Sequence, residues 1–167
     1  MIKEVKRNYL EITSLEKLKV SPAPSGNFSL KLLDPSNFQL NKFFYKNIGK
    51  KHKWIDRLVW SDSRWIDYVS NKNIKTYIFK KEEDLVGFFE LLEHHEKKEI
   101  EIAYFGLLEE YQNKKLGSYL LSMAIKKSFE KNINRVWLHT CSLDHNNALN
   151  NYISRGMNIF KTETVII

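Results

Sequence analysis

The segment order that most constrains this chain is a run of three β-rich segments followed by one helix and one further strand. Residues 74–79, 85–92 and 99–108 are rich in β-branched and aromatic side chains and are joined by short polar links. Links this short predict an antiparallel meander. Residues 117–131 then carry apolar side chains at helical spacing, and residues 135–141 are again typical of a strand. The last two strands therefore form a β-α-β unit, which favours a parallel pair with a right-handed crossover.

Further strands and helices are predicted on both sides of this unit. On the N-terminal side the elements are strands at 8–13 and 28–32 and helices at 36–49, 54–59 and 61–69. Ser36 is the expected cap of the first of these helices and Gly49 its stop. On the C-terminal side a helix is expected from Asn146 to Arg155, Gly156 as its left-handed cap, and a strand at 159–167. The pattern predicts an α/β (α+β) fold with a mixed central sheet and helices on both faces.

Composition restricts the class of protein. The chain has 167 residues, of which 43% are hydrophobic and 28% charged, a mixture that favours one globular domain over a disordered or fibrous chain. Residues 1–26 are expected to form an N-terminal strand and loop of that domain. A single cysteine, Cys141, excludes an intramolecular disulfide framework. No apolar stretch is long enough for a bilayer, and no signal peptide is visible, so we expect a cytoplasmic protein.

The segment between the third meander strand and the following helix is the clearest candidate site. It reads Gln112-Asn113-Lys114-Lys115-Leu116-Gly117-Ser118. The first amides of a helix lack internal partners and favour anions, so a phosphate or pyrophosphate fits there. The net charge of +7 also favours an anionic partner. The alternative is a solvated helix start with surface lysines. The spacing matches neither a Walker loop nor a dinucleotide fingerprint.

Two motifs in the same order resemble the GNAT superfamily of acyl-CoA-dependent N-acetyltransferases. The chain has Glu-Ile-Ala-Tyr-Phe-Gly-Leu at 101–107 and then Gln-x-x-x-x-Gly at 112–117. A helix, a strand and Asn-Ala-x-x-x-Tyr-x-x-x-Gly at 147–156 follow. The resemblance covers residues 85–160, and it departs from the family at Lys115, where the motif has glycine, and at Met157, where phenylalanine is usual. We expect Lys115 to adopt a helical backbone that keeps its amide in place.

The resemblance implies an enzyme that transfers an acetyl group from acetyl-CoA to an amine by direct attack in a ternary complex, without a metal. Residues 85–160 would be its acetyl-CoA-binding core. The residues that the resemblance assigns to the cofactor are Phe105, Gly106, Leu107, Gln112, Asn113, Lys114, Lys115, Leu116, Gly117, Ser118 and Asn147. It assigns the general base to Glu101, eleven residues before Gln112, and places Tyr152 at the thioester sulfur as general acid.

Each catalytic assignment has an alternative. Glu101 alternates with apolar residues and could be an exposed-face glutamate, with Glu99 or His139 as the base instead. Tyr152 could pack its ring against the sheet. Cys141 could carry an acyl group, although a small buried thiol is the commoner case. The remaining polar run, His94-His95-Glu96, lacks metal-binding spacing and favours a solvated turn.

Two other function classes stay open. The departure at Lys115 is compatible with an acyl-CoA sensor that has lost turnover. Positive charge and the tryptophans Trp54, Trp60 and Trp65 are compatible with nucleic-acid stacking, although their spacing first indicates a helix core stripe. The resemblance implies that these early helices form a wall of the acceptor pocket. We expect a small-molecule or peptide amine as the acceptor, with no nucleic-acid or membrane partner. A homodimer stays open.

Overall fold

The computed structural model describes residues 2–145 and 147–166. The strands and helices are β1 (Glu4–Ile12), β2 (Phe28–Leu32), α1 (Phe38–Gly49), α2 (Asp62–Ser70), β3 (Ile74–Lys81), β4 (Asp84–His94), β5 (Glu99–Leu107), α3 (Leu116–Ser128), β6 (Arg135–Cys141), α4 (Ala148–Ser154) and β7 (Asn158–Ile166). The strands form one sheet in the order β2-β3-β4-β5-β6-β1-β7. Strands β3, β4 and β5 pair antiparallel, whereas β5 and β6 are parallel. The predicted meander, β-α-β unit and mixed sheet are therefore confirmed.

Strand β1 lies between β6 and β7 and pairs antiparallel with both. Leu10 is opposite Leu138 on one side and Ile159 on the other. The side chains of Leu10 and Ile12 are almost completely buried. The sequence predicts this strand but does not indicate its place in the sheet.

The helices pack on both faces of the sheet, as predicted. Helix α3 buries a stripe of Leu120, Leu121, Ala124 and Ile125, each 0% exposed, in the larger core. On the other face, α1 packs its own apolar stripe in a smaller core, formed by Phe44, Ile48, Ile78, Phe88 and Leu108. The neighbours Ile78 and Phe79 belong to different cores, as the alternation of a strand requires. None of the helices in the described residues has the length and apolarity to cross a bilayer.

The predicted caps and ends of the helices and strands have different outcomes. Helix α1 is capped by Asn37 and not by Ser36, because the Asn37 side chain accepts a hydrogen bond from the Gln39 amide at 3.1 Å. Gly156 has φ +108°, as the predicted left-handed cap requires. The expected helix start at Asn146 and strand end at Ile167 lie outside the described residues.

The predicted helix over residues 54–59 is wrong, since this segment consists of turns. Lys53 has a left-handed backbone with φ 60°, which interrupts any helix that continues from α1. Val59 is 86% exposed, so the apolar periodicity does not define a buried face. The segment is instead fixed by tertiary contacts: the amide of Arg57 donates to the Tyr45 hydroxyl at 3.0 Å, and its side chain is buried.

A buried ion pair joins this segment to the sheet. Nη1 of Arg57 lies 3.1 and 3.3 Å from the two carboxylate oxygens of Glu90, which is 0% exposed. Asn41 and Tyr68 also donate to Glu90, at 2.9 and 2.8 Å. The guanidinium lies within 6 Å of the ring centres of Tyr45, Trp60, Trp65, Tyr68 and Tyr104. Burial acts to lower the pKa of Arg57, but the attraction of Glu90 and the nearby phenols outweighs it and raises the pKa.

We predict that Glu90→Gln destabilises the fold strongly because it leaves the Arg57 charge buried without a counter-ion. The expected loss in the free energy of unfolding is about 3 kcal/mol, measured by urea denaturation. Glu83→Gln, at an exposed position in the β3–β4 turn, is the matched control and should change stability by less than about 0.5 kcal/mol. Equal effects of the two substitutions would contradict a stabilising role of the ion pair.

Candidate functional site

The site is created where β5 and β6 separate. These strands pair over only three positions, from Glu99 opposite Arg135 to Glu101 opposite Trp137. Just beyond this point the β4–β5 register shifts, since Leu91 faces Ile102 whereas Glu90 faces Tyr104. The extra residue, Ala103, is a bulge, and bulges bend the strand that carries them. A cavity of about 1130 Å³ opens where the two strands diverge.

Most of the residues predicted for cofactor binding line this one cavity. They are Phe105, Gly106, Leu107, Gln112, Asn113, Lys115, Gly117, Ser118 and Asn147. Two others do not line it: Leu116 is buried in the larger core, and the Lys114 ammonium lies 5.9 Å from the ring centre of Tyr111. The structure thus brings together the predicted set apart from these two side chains.

The start of α3 has no side-chain cap. Its N-cap residue, Lys115, has φ 62° and ψ 12°, so the expected helical backbone is corrected to a left-handed one. Asn113 is also left-handed, with φ 62°. The Gln112 side chain donates to the carbonyl of Leu107 at 3.0 Å and ties this turn to the end of β5. The first amides of α3 therefore meet the cavity without a carboxylate or hydroxyl cap between them.

Gly117 has a different role from Gly106. A Cβ atom at Gly106 would lie 2.7 Å from Cγ2 of Ile48, so α1 packs too closely on β5 for a side chain there. At Gly117, the nearest atoms to such a Cβ are 3.7 and 3.8 Å away, which is ordinary contact. Protein packing does not demand glycine at 117, and its absent side chain leaves room for an anion close to the helix amides.

Tyr152 lines the cavity from α4. It is 8% exposed, and its ring meets that of Phe105 edge-on at 6.4 Å between centroids. Burial, and to a lesser extent Asp144, raises the pKa of Tyr152. Its phenol is therefore protonated at neutral pH and available as a hydrogen-bond donor.

Glu101 lines the same cavity from the last position at which β5 pairs with β6. Its side chain is 16% exposed, and Oε1 lies 3.0 Å from Nε2 of His94. The His94 ring stacks on Trp137, with 5.9 Å between centroids. Sequence reasoning treated His94 as part of a solvated turn. The hairpin turn at residues 95–98 places His94 opposite Glu99, and Glu101 is two residues further along the same face of β5. This register is the sequence signal that could have identified the contact.

The alternative catalytic residues are placed differently. Glu99 is bound by Arg135, with Nε 2.8 Å from Oε2. His139 and Cys141 line the cavity. Burial, and then Arg7, lowers the pKa of His139, whereas burial raises the pKa of the Cys141 thiol and makes it a weaker nucleophile.

Aromatic residues form the wall opposite α3. Trp54, Trp60, Tyr68 and Tyr104 line the cavity, and the rings of Trp54 and Tyr104 are 4.8 Å apart. Trp65 is 1% exposed and belongs to the protein interior. The sequence indicated these tryptophans, but it did not assign Tyr68, or Tyr104 within the motif at 101–107, to the same wall, because these residues come from distant segments.

Similar structures have the same overall fold. A GCN5-related N-acetyltransferase from Sphaerobacter thermophilus has a TM-score of 0.69 at 15% identity, covering 97% of this chain and 50% of its own. A conserved protein of unknown function from Staphylococcus epidermidis gives 0.66 at 16%, covering 99% and 62%. An aminoglycoside acetyltransferase from an uncultured soil sample gives 0.64 at 16%, covering 77% and 87%. The chain thus spans only 50–62% of the first two structures.

No curated protein matches the chain by sequence. The family described as Acetyltransferase (GNAT) family matches residues 37–157, from α1 to the end of the Tyr152 motif. This match covers well over half of the chain and includes the separated strands, the start of α3 and α4. The chain belongs to the GNAT acetyltransferase family.

Proposed function

We propose that the protein transfers an acetyl group from acetyl-CoA to an amine by direct attack within a ternary complex. The observation that carries this proposal is the single cavity that joins the uncapped start of α3, the free edge of β5, Tyr152 and Glu101. Membership of an acetyltransferase family supports the reaction class. A bound donor and a bound acceptor would share this cavity, which favours transfer without a covalent acyl-enzyme.

The residues around the start of α3 fit the pyrophosphate of acetyl-CoA. The first helix amides supply donors, the room at Gly117 permits close approach, and Lys115 lines the cavity at the helix start. The backbone of Phe105–Leu107 faces the gap where β6 has turned away. Apart from the Leu107 carbonyl, which accepts from Gln112, this edge would be able to pair with the amide groups of the pantetheine arm. Asn147 lines the same cavity beside α4.

Glu101 and Tyr152 fit the two proton transfers of the reaction. A primary ammonium with a pKa near 10.4 is not a nucleophile at neutral pH and must first lose a proton, which Glu101 would accept directly or through water. Collapse of the tetrahedral intermediate releases a thiolate, which is costly in a desolvated cleft. The protonated phenol of Tyr152 would donate to that sulfur.

The acceptor would bind against the aromatic wall. Trp54 and Trp60 offer flat apolar surfaces, and Asp56 and Glu101 add carboxylates that favour a cationic amine. One similar structure is an aminoglycoside acetyltransferase, which makes small polyamines a natural first class to test, with peptide amines second. Nucleic acid is the weaker proposal, because the tryptophans that suggested stacking face the cavity or the interior.

The first test measures acetyl-CoA binding and turnover. Acetyl-CoA at about a hundred times its Kd should stabilise the fold by roughly 2.7 kcal/mol, seen as a raised Tm. With aminoglycosides, polyamines and short peptides as acceptors, thiol release and an acetylated product should appear together. Gly117→Asp is the matched variant, because a Cβ atom there meets only ordinary contacts and an acid suits a helix start. The fold should therefore persist, whereas acetyl-CoA should no longer raise Tm. A Tm of the wild type unmoved by millimolar acetyl-CoA would refute the proposal.

Lys115→Gly should stabilise the protein, because glycine adopts the left-handed backbone at φ 62° without a Cβ clash. The expected gain is about 0.5–1 kcal/mol by urea denaturation. Asn113→Gly is the control and should gain less, since asparagine tolerates this conformation. Acetyl-CoA affinity should be equal or tighter in Lys115→Gly. A large loss of affinity would show instead that the lysine ammonium holds a phosphate.

Tyr152→Phe should lower kcat by about tenfold to a thousandfold, because it removes the phenol proton and keeps the ring contact with Phe105. Tm and acetyl-CoA affinity should stay near the wild-type values. Tyr119→Phe, on α3 and outside the cavity lining, is the control and should retain full turnover. If the Tyr152 variant keeps the wild-type kcat, the residue only packs and the thiolate leaves unaided.

A further inference from the structure

His94 connects a cavity carboxylate to the protein surface. Glu101 lines the cavity, whereas His94 does not. The two side chains are joined at 3.0 Å between Oε1 and Nε2, and their exposed fractions are 16% for Glu101 and 36% for His94. Stacking on Trp137 holds the imidazole in the plane that this contact requires. The hydrogen bond from Glu101 to His94 therefore connects the inside of the cavity to an imidazole ring that is exposed to bulk water.

The proposed reaction must release a proton from the cavity in every turnover. An ammonium acceptor has three protons on nitrogen, and the amide product keeps one. One of the two that leave ends on the CoA sulfur, and the other must reach bulk water. Acetyl-CoA and the acceptor would share the cavity that Glu101 lines, and together they would obstruct the path through its mouth at the moment when the proton has to leave.

We infer that His94 carries this proton from Glu101 to bulk water, an inference that rests on the proposed acetyl transfer. The Glu101 carboxylate takes the proton from the acceptor nitrogen, whose lone pair then attacks the thioester. The protonated Glu101 passes its proton to Nε2 of the His94 tautomer that carries its hydrogen on Nδ1, so Glu101 becomes a carboxylate again and the ring becomes an imidazolium. The imidazolium then loses its Nδ1 proton to water, and Nε2–H donates to the Glu101 carboxylate. Exchange with water returns the ring to the Nδ1–H tautomer before the next turnover. His94 acts through Glu101 and is a positioning residue.

The groups packed around His94 leave this route open. On β5, Glu99 is engaged by Arg135 at 2.8 Å, so it does not compete for the ring. On β6, His139 lines the cavity and its pKa is lowered, which makes it a poor store for the proton. Imidazole is the side chain that exchanges protons readily near neutral pH. Glu101 and His94 thus form a route for the proton that Glu99 and His139 do not offer.

The test compares His94→Gln and His94→Ala with His95→Ala. Glutamine keeps an amide that can hold Glu101 but cannot relay a proton, and alanine leaves space for added imidazole. Both variants should lower kcat by about tenfold or more, with the KM for acetyl-CoA unchanged. Imidazole should restore kcat in His94→Ala, and turnover in both variants should depend on buffer concentration. His95 is exposed and bonds to Asn73 at 2.7 Å, so His95→Ala should behave as the wild type.

The outcomes separate this inference from the proposed function. Wild-type turnover in His94→Gln would overturn the relay and leave acetyl transfer intact. A slow His94→Ala that imidazole and buffer do not rescue would assign His94 a structural role and would also overturn it. A wild type that acetylates none of the amines would refute the proposed function and the relay together. A melting curve for each variant checks that the loss concerns turnover and not folding.

Discussion

The short pairing between β5 and β6 is the constraint on which the site depends. Because it ends at Glu101 opposite Trp137, that carboxylate is the last side chain held by strands on both sides. The bulge at Ala103 then turns the rest of β5 away and frees one edge of its backbone. A rigid candidate base and an open binding edge thus arise from the same irregularity, and a regular sheet would provide neither.

The opposite wall depends on a charge that the protein keeps buried. Residues 50–60 have no regular structure, yet Arg57 fixes them by its contact with Glu90. Glu90 also borders the bulge and lies opposite Tyr104, whose ring is 4.3 Å from the guanidinium. Glu90 therefore contacts both the bent part of β5 and the residues that hold the aromatic wall. This coupling fixes the aromatic wall relative to the bent strand on the other side of the cavity.

The sequence predicts the features that local chemistry determines. The meander, the α3 stripe and the Gly156 cap follow from spacing and from backbone preference, and the structure confirms them. The helix expected at 54–59 does not form, because Arg57 is fixed by partners that are distant in sequence. The apolar side chains of this segment are therefore not the buried ones, and their spacing does not predict its structure. The left-handed backbone of Lys115 and the contact of His94 with Glu101 are likewise set by tertiary packing. Motif residues could be predicted, whereas their geometry could not.

The position of β1 also governs the order in which the sheet can be completed. Residues 4–12 are made before the other strands of this sheet, but both of their partner strands lie more than a hundred residues later in the chain. Among the described residues, β7 pairs with β1 alone, so it has no place in the sheet until β1 has joined β6. During synthesis the side chains of Leu10 and Ile12 therefore stay unburied until β6 and β7 have been made. Because long-range pairing is slow to form, we expect this half of the sheet to be completed late in folding and to be exposed to aggregation until then.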